Sequence, residues 1–164
     1  MAAKSKIISL FTGGRSFLRK AKFAAFRPDF TIGKRYTVGR GIFISRKNKI
    51  TIGDDFYMGN YCHLASNAEI GNDVMFASYV SLVGGDHDIT DPDILLRQSG
   101  RGTFKTTIIE DNVWLGHGVV VMHVVRIGSG AVIAAGAVIT KDVPENEIWG
   151  GNPSRLLKVR RKSK

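Results

Sequence analysis

The sequence has few of the features that mark secreted or membrane-spanning proteins. It contains one cysteine, Cys62, which excludes an internal disulfide framework and favours a reducing compartment. No apolar run approaches the roughly 18 residues of a membrane span, and the early apolar stretch, residues 7–11, is too short for the core of a signal peptide. We therefore expect a cytoplasmic protein whose 164 residues build one core.

Charge is abundant but unevenly placed along the chain, whose net charge is +10. Residues 1–49 carry thirteen lysines and arginines against one acid, residues 50–154 carry five against thirteen acids, and residues 155–164 carry six against none. The acidic middle lacks the basic face, aromatic platforms or recognition helix typical of nucleic-acid binders, so we expect no nucleic-acid partner. The basic ends are either solvated tails or peripheral contacts to anionic lipid or glycan.

An apolar residue recurs at every sixth position in two runs of the chain. The first run is Ile32, Val38, Ile44 and, after a shift of two residues, Ile52, Met58, Leu64, Ile70, Phe76 and Leu82; the second is Ile109, Leu115, Val121, Ile127, Ile133 and Ile139. A period of six matches neither the α-helix nor simple strand alternation. It is typical of a parallel β-helix, in which each short repeat buries its apolar side only by stacking on its neighbours.

The repeats predict a triangular coil with the apolar residues inside. Three six-residue sides make a turn of about eighteen residues, and successive turns stack at the strand spacing of about 4.8 Å. The residue after the apolar one is often glycine or alanine, which lets the chain bend at each corner without a side-chain clash. Fifteen repeats amount to about five coils. We expect an all-β fold, a parallel β-helix of hexapeptide repeats.

The repeats divide the chain into a core domain, one loop and two short terminal extensions. Residues 31–154 form the predicted β-helix domain, and residues 83–108, where the six-residue spacing fails, form a loop extruded from it. Residues 1–30 mix basic and apolar side chains and are predicted to cap one open end of the coil, with docking on a membrane surface as the alternative. Residues 155–164 form a basic C-terminal tail.

Several stretches together resemble one known family. The repeats, the loop histidine in GGDHDITD (residues 84–91), the NVWLG stretch (residues 112–116) and the ending AAGAVITKDVPENEIWGGNPSRLLK (residues 134–158) resemble the hexapeptide-repeat acyltransferases. Galactoside, maltose and polysaccharide O-acetyltransferases are the most similar members. The resemblance implies a left-handed parallel β-helix, acetyl-CoA as the acyl donor, and a homotrimer with active sites between subunits.

The resemblance assigns the role of general base to His87. Acetyl transfer to a sugar hydroxyl needs a base because a neutral alcohol is a weak nucleophile near neutral pH, and an imidazole suits that task. The same histidine would return the proton to the leaving thiolate, so no acyl-enzyme is required and direct transfer in a ternary complex is expected. Asp86, Asp88 or Asp93 is expected to hold the imidazole in its productive tautomer, and the residues alone leave the three open.

The resemblance also implies a groove that holds both substrates. The residues expected at the acceptor are Trp114, Asn60 and Asp86, and those expected at the CoA moiety are Trp114, Gly116, His117, Ala135, Gly136, Thr140, Lys141, Arg155 and Lys158. The last two cations would meet the nucleotide phosphates, unless they belong to an ordinary basic tail. His123 and Val124 stand where relatives have Pro and Gly, and we expect this corner to bend differently because β-branched residues resist positive φ.

The acceptor and one different class of protein stay open. A unit of surface polysaccharide or lipopolysaccharide is the expected acceptor, because the chain lacks room for the extra domains of serine or nucleotide-sugar acyltransferases. An amino sugar, which would be N-acetylated, and a xenobiotic are the other candidates. His117 and His123, one repeat apart and expected on one face, raise the alternative of a zinc-dependent protein of the γ-carbonic anhydrase type or a non-catalytic β-helix. Their spacing differs by one residue from that zinc pair and a third histidine is missing from the matching preceding coil, so we expect no metal.

Overall fold

Short strands make up the regular structure of the chain. A computed structural model describes residues 29–102 and 105–161, and within these residues it contains strands but no helix, hence no helix that could cross a membrane. The strands are β1 Phe30–Ile32, β2 Thr37–Val38, β3 Phe43–Ile44, β4 Ile50–Ile52, β5 Tyr57–Met58, β6 His63–Leu64, β7 Asn67–Ile70, β8 Met75–Phe76, β9 Ser81–Leu82, β10 Thr106–Ile109, β11 Trp114–Leu115, β12 Val120–Val121, β13 Arg126–Ile127, β14 Val132–Ile133, β15 Val138–Ile139, β16 Glu147–Gly151 and β17 Ser154–Val159.

The strands lie in three sheets that form the sides of a coil. Sheet A has the order β1-β4-β7-β10-β13, sheet B the order β17-β16-β14-β11-β8-β5-β2, and sheet C the order β15-β12-β9-β6-β3. Every pairing is parallel except the last, β16 with β17. Because each strand pairs with the strand three places on in the chain, the polypeptide visits the sheets in rotation. The predicted parallel β-helix is confirmed, with five full coils and a partial sixth that holds β16.

The six-residue period fixes where strands end. Each of β1 to β15 ends on one of the fifteen apolar residues predicted to face inward, from Ile32 in β1 to Ile139 in β15. Thirteen of the fifteen are buried, and Ile32 and Val38, in the first coil, are partly buried against the same core. In register pairs such as Leu115 with Ile133, identical positions stack from coil to coil. Burial of these aliphatic ladders is the main source of stability, at about 25 cal/mol per Å² of apolar surface.

We name the corners in chain order: the first lies between sheets A and B, the second between B and C, and the third between C and A. The glycines after the apolar residues have a different job from the one we predicted. A Cβ at Gly39 would lie 2.5 Å from the backbone of Gly59, and one at Gly116 would lie 2.6 Å from the backbone N of Ala135. These glycines therefore permit close approach of successive coils. The bend itself is made two residues later, where φ is positive.

The first two corners repeat one residue with positive φ in each coil. At the first corner these are Arg35, Asp55, Asp73, Asn112, Gly130 and Asn146, and at the second they are Gly41, Tyr61, Tyr79, Gly118 and Gly136. Side-chain oxygens next to the first corner support the bend: Oδ1 of Asn72 accepts the N–H of Asp54 at 2.9 Å, and Oδ1 of Asp111 accepts the N–H of Asn72 at 2.7 Å. Each coil is thus hydrogen-bonded to the next through backbone and side chain alike.

The predicted boundaries shift at two places. Residues 106–108, assigned to the loop, begin strand β10, so the extruded segment runs from Val83 to Lys105. Residues 155–159, assigned to the tail, form most of β17, which folds back antiparallel on β16. Trp149 in β16 is buried where the coil ends, and its indole N–H donates to Oε2 of Glu147 at 2.6 Å. The predicted N-terminal cap falls mainly on residues 1–28, which lie outside the described residues.

Candidate active site

His87 is presented by a small hairpin at the root of the loop. We call residues 85–88 and 100–102 the loop hairpin. His87 pairs with Arg101 in an antiparallel bridge, the N–H of Gly102 donates to the carbonyl of Asp86 at 3.1 Å, and the N–H of Asp88 donates to the carbonyl of Gly100 at 3.4 Å. The imidazole of His87 is exposed. A solvated imidazole on a short hairpin can exchange protons with a bound substrate.

The three candidate aspartates have different surroundings. The carboxylate of Asp88 accepts the N–H and hydroxyl of Thr90 at 2.9 and 2.6 Å, which lowers the pKa of Asp88. Oδ2 of Asp86 lies 3.2 Å from Nδ1 of His123. Asp93 donates its backbone N–H to the side chain of Asp91 at 2.9 Å. Two of the three carboxylates thus engage partners other than His87, and the assignment of an orienting aspartate stays a prediction.

The second corner assembles four of the predicted CoA-contacting residues. Gly116 is buried against Ala135, and the carbonyl of His117 accepts the N–H of Gly136 at 2.7 Å. Gly136 has a φ of 71°, and a Cβ there would meet nothing within 4 Å. The corner therefore presents exposed backbone beside a groove that is open to solvent, and a linear ligand can lie along such a groove.

Trp114 and Asn60 lie on the side of the coil that borders this corner. Trp114 stands on the outer face of sheet B, 48% exposed, in register with Met75 of the preceding coil. Asn60 sits at the second corner, where its Oδ1 accepts the N–H of Arg40 at 2.9 Å and its own N–H donates to Oγ of Ser78 at 3.1 Å. Asn60 therefore has a structural role in the corner, and its predicted contact with the acceptor stays a prediction.

The remaining predicted cofactor residues are dispersed. Thr140 and Lys141 follow β15 at the third corner, where the Lys141 ammonium lies 5.2 Å from the ring centre of Trp149, an arrangement that covers the end of the coil. Arg155 and Lys158 are exposed on β17, beyond the last rung of sheet B. Arg155 donates through Nη1 to the carbonyl of Ser154 at 2.7 Å.

One chain does not bring all of the predicted residues together. The loop that carries His87 leaves the coil at the third corner, between sheets C and A, whereas Trp114 lies on sheet B, the side opposite that corner. The groove at the second corner lies one full side away from the loop root. A site that uses both His87 and Trp114 therefore needs a second copy of the chain.

The two histidines of the metal alternative lie apart, and the expectation that they share a face was wrong. His117 is at the second corner, with its ring centre 5.2 Å from that of Tyr79, and His123 is at the third corner beside Asp86. The reason is the fold: six residues advance the chain by one side, so stacked positions are one whole coil apart. Among residues 29–102 and 105–161, no group of three His, Cys, Asp or Glu side chains is arranged to hold a metal ion.

Two tyrosines at the second corner were missed by the sequence reasoning. Tyr61 and Tyr79 stack with ring centres 5.3 Å apart, and the stack continues to His117. They are separated by one eighteen-residue coil, so aligning whole coils, in place of single repeats, would have paired them. The contact of Asp86 with His123 had no comparable signal, because the loop follows no period.

Comparison with known proteins identifies relatives of the whole coil. The family model described as bacterial transferase hexapeptide (six repeats) matches residues 106–141. A galactoside O-acetyltransferase of Lactococcus lactis is 38% identical over 121 residues, which are 74% of this chain and 51% of that protein. The crystal structure of a maltose O-acetyltransferase from Clostridium difficile 630 matches with a TM-score of 0.74 and 35% identity, over 80% of this chain and 70% of that one.

A further solved structure is described with its acyl donor. The hexapeptide-repeat acetyltransferase VCA0836 of Vibrio cholerae, complexed with acetyl coenzyme A, matches with a TM-score of 0.72 and 27% identity, over 80% of this chain and 72% of that one. The chain spans about half the length of the curated relatives that it matches.

Proposed function

Because the chain belongs to the hexapeptide-repeat acyltransferases, we propose that it is an acetyl-CoA-dependent O-acetyltransferase that acts on a saccharide hydroxyl. The similar Vibrio cholerae structure contains acetyl coenzyme A, and the similar Lactococcus lactis and Clostridium difficile proteins are named for O-acetyl transfer to galactosides and maltose. These names support a sugar hydroxyl over an amine. A unit of a surface polysaccharide or lipopolysaccharide is the acceptor that we include in the proposal.

The proposed reaction is a direct transfer. The acceptor oxygen attacks the thioester carbonyl carbon while the His87 imidazole removes the hydroxyl proton. The tetrahedral intermediate collapses with cleavage of the carbon–sulfur bond, and the imidazolium returns its proton to the CoA thiolate. The products are an acetyl ester and free CoA, and His87 ends as a neutral imidazole.

The observation that carries this proposal is the presentation of His87. Its imidazole is exposed on a hydrogen-bonded hairpin that projects from a rigid coil, and the second corner of the same fold offers exposed backbone at Ala135 and Gly136. A rigid scaffold that carries a mobile proton acceptor beside a groove suits a reaction that depends on positioning two substrates.

We further propose that the active sites lie between subunits of a homotrimer. Within one chain, His87 and Trp114 are on opposite sides of the coil. In a closed ring of copies, the loop of one subunit can face the sheet B side and second corner of its neighbour, and three identical interfaces give three sites.

The proposal is tested by an acceptor screen. Purified protein is incubated with acetyl-CoA and maltose, a galactoside or glucosamine, and release of free thiol is followed. We expect turnover with a saccharide hydroxyl, and a decrease of kcat by about 10² to 10⁴ in His87→Ala with an unchanged KM for acetyl-CoA. His63→Leu, a histidine on the outer face of sheet C, is the matched control and keeps wild-type rates. Full turnover in His87→Ala would exclude this mechanism.

A further inference from the structure

One contact between the loop hairpin and the coil has no role in the reaction as described. Nδ1 of His123 lies 3.2 Å from Oδ2 of Asp86, the residue before His87. This Nδ1 atom is buried and has no aligned hydrogen bond within the described part of the chain. The contact is therefore electrostatic in its present geometry, at a distance where a small rotation of the ring would complete a hydrogen bond.

The same histidine also packs against the point where the chain enters the loop. A Cβ at Gly84 would lie 3.1 Å from the Cβ atoms of both Ser66 and His123. The chain thus leaves the coil through a narrow gap between the third-corner residues of two neighbouring coils. His123 holds one side of this gap with its Cβ and reaches the loop hairpin with its ring.

Little else fixes the loop hairpin. Its two backbone hydrogen bonds measure 3.1 and 3.4 Å, and Arg101 adds one bond from Nη1 to the carbonyl of Gly85 at 2.9 Å. An isolated two-stranded hairpin is only marginally stable in water. A contact that ties Asp86 to the coil therefore has a large effect on the direction in which the next residue, His87, points.

We propose that His123 is a positioning residue: its imidazole holds Asp86, and through Asp86 it fixes the orientation in which His87 meets the acceptor. This inference rests on the proposed function, since it takes His87 as the base. It assigns Asp86 to the anchoring of the hairpin, away from direct contact with the His87 ring.

The activity test separates the ring's polar contact from its bulk. His123→Leu keeps apolar volume and removes the polar contact, whereas His123→Asn places an amide N–H near the position of Nδ1. We expect kcat to fall about tenfold in His123→Leu, with KM for acetyl-CoA unchanged, and to recover in His123→Asn. Asp86→Ala should fall equally, and the double variant Asp86→Ala/His123→Leu no further, because both changes break one contact. Losses that add, or no rescue by Asn, would overturn the proposal.

A second measurement needs no acceptor. Hydrogen exchange of the Gly102 and Asp88 amides, which close the loop hairpin, should be about threefold to fivefold faster in His123→Leu and in Asp86→Ala, and unchanged in the control His63→Leu. Unchanged exchange in the first two variants would refute the anchoring. A wild-type chain that transfers no acetyl group would refute the proposed function instead, and the exchange rates would still decide whether His123 holds the hairpin.

Discussion

Val124 is the residue whose conformation departs furthest from its intrinsic preference. We expected the His123–Val124 corner to bend differently because a β-branched side chain resists positive φ. Instead, Val124 adopts a φ of 72° and is 45% exposed. A β-branched residue in this region is strained, by an amount on the order of 1–3 kcal/mol. The strain lies next to His123, at the corner where the loop hairpin is anchored.

Relief of this strain should stabilise the protein. Replacement of Val124 by Gly removes the β-branch and restores the residue type that tolerates positive φ, at a cost of about 0.5–1 kcal/mol in unfolded-state entropy. We expect a net gain of about 1 kcal/mol, which raises Tm by about 2–4 °C for a chain of this size. Differential scanning calorimetry measures it.

The matched control is Gly118→Ala, at another corner with positive φ (68°) where a Cβ would meet nothing within 4 Å. That change adds strain without a clash and should lower Tm. A Val124→Gly protein that melts below the wild type would show that the corner is not strained.

Between elements, Glu110 links two coils on the sheet A side. It follows β10, and its Oε2 accepts both the N–H and the hydroxyl of Ser129 at 2.8 Å, while Oε1 pairs with the guanidinium of Arg126 at the start of β13. The hydrogen bonds from Ser129, with a smaller contribution from Arg126, lower the pKa of Glu110 below its ordinary value of 4.5. The ionised form is thus favoured in the folded state.

This pKa shift predicts how stability depends on pH. Because the folded value lies below the unfolded one, the contribution of Glu110 is complete above the unfolded pKa and is lost as pH falls through the folded value. We expect Glu110→Gln to lower the free energy of unfolding by about 1 kcal/mol at pH 7, and the difference from wild type to vanish near pH 3. Urea unfolding at both pH values measures it. Glu69→Gln, on the exposed face of β7, is the control, and a Glu110→Gln deficit that persists at pH 3 would contradict the linkage.

The elements could be predicted closely from the sequence because burial dictates the six-residue period. An inward position such as Leu115 tolerates only an apolar side chain, so the strand ends were visible as a pattern. The corners were harder, because glycine serves both close backbone approach, as at Gly116, and positive φ, as at Gly118. The composition of a corner does not reveal which demand each glycine meets. The contact of Asp86 with His123 could not be predicted, since it depends on the path of an aperiodic loop.

At the scale of the whole molecule, the separation of His87 from Trp114 predicts complementation between subunits. Co-expressed His87→Ala and Trp114→Ala chains should form mixed trimers in which some interfaces combine an intact His87 from one chain with an intact Trp114 from the other. Random association of equal amounts leaves about one quarter of the interfaces intact. We expect about that fraction of wild-type turnover, when each variant alone is nearly inactive.

Thiol release from the purified mixture measures this fraction, with light scattering to establish the oligomeric state. Two variant proteins purified separately and mixed without subunit exchange are the control, since their activities only average. Absence of recovery in mixed trimers would show that both residues of a site come from the same chain.

The fold-back of β17 on β16 has a consequence for association beyond the trimer. A parallel stack of rungs offers its last edge as a template for the first strand of another molecule, and such growth ends in fibres. On sheet B, β17 runs antiparallel to the stack and carries Arg155 and Lys158, so an arriving strand meets reversed polarity and positive charge. The hairpin that ends the chain therefore acts as a terminator, and it keeps a repetitive architecture in discrete particles at cellular concentrations.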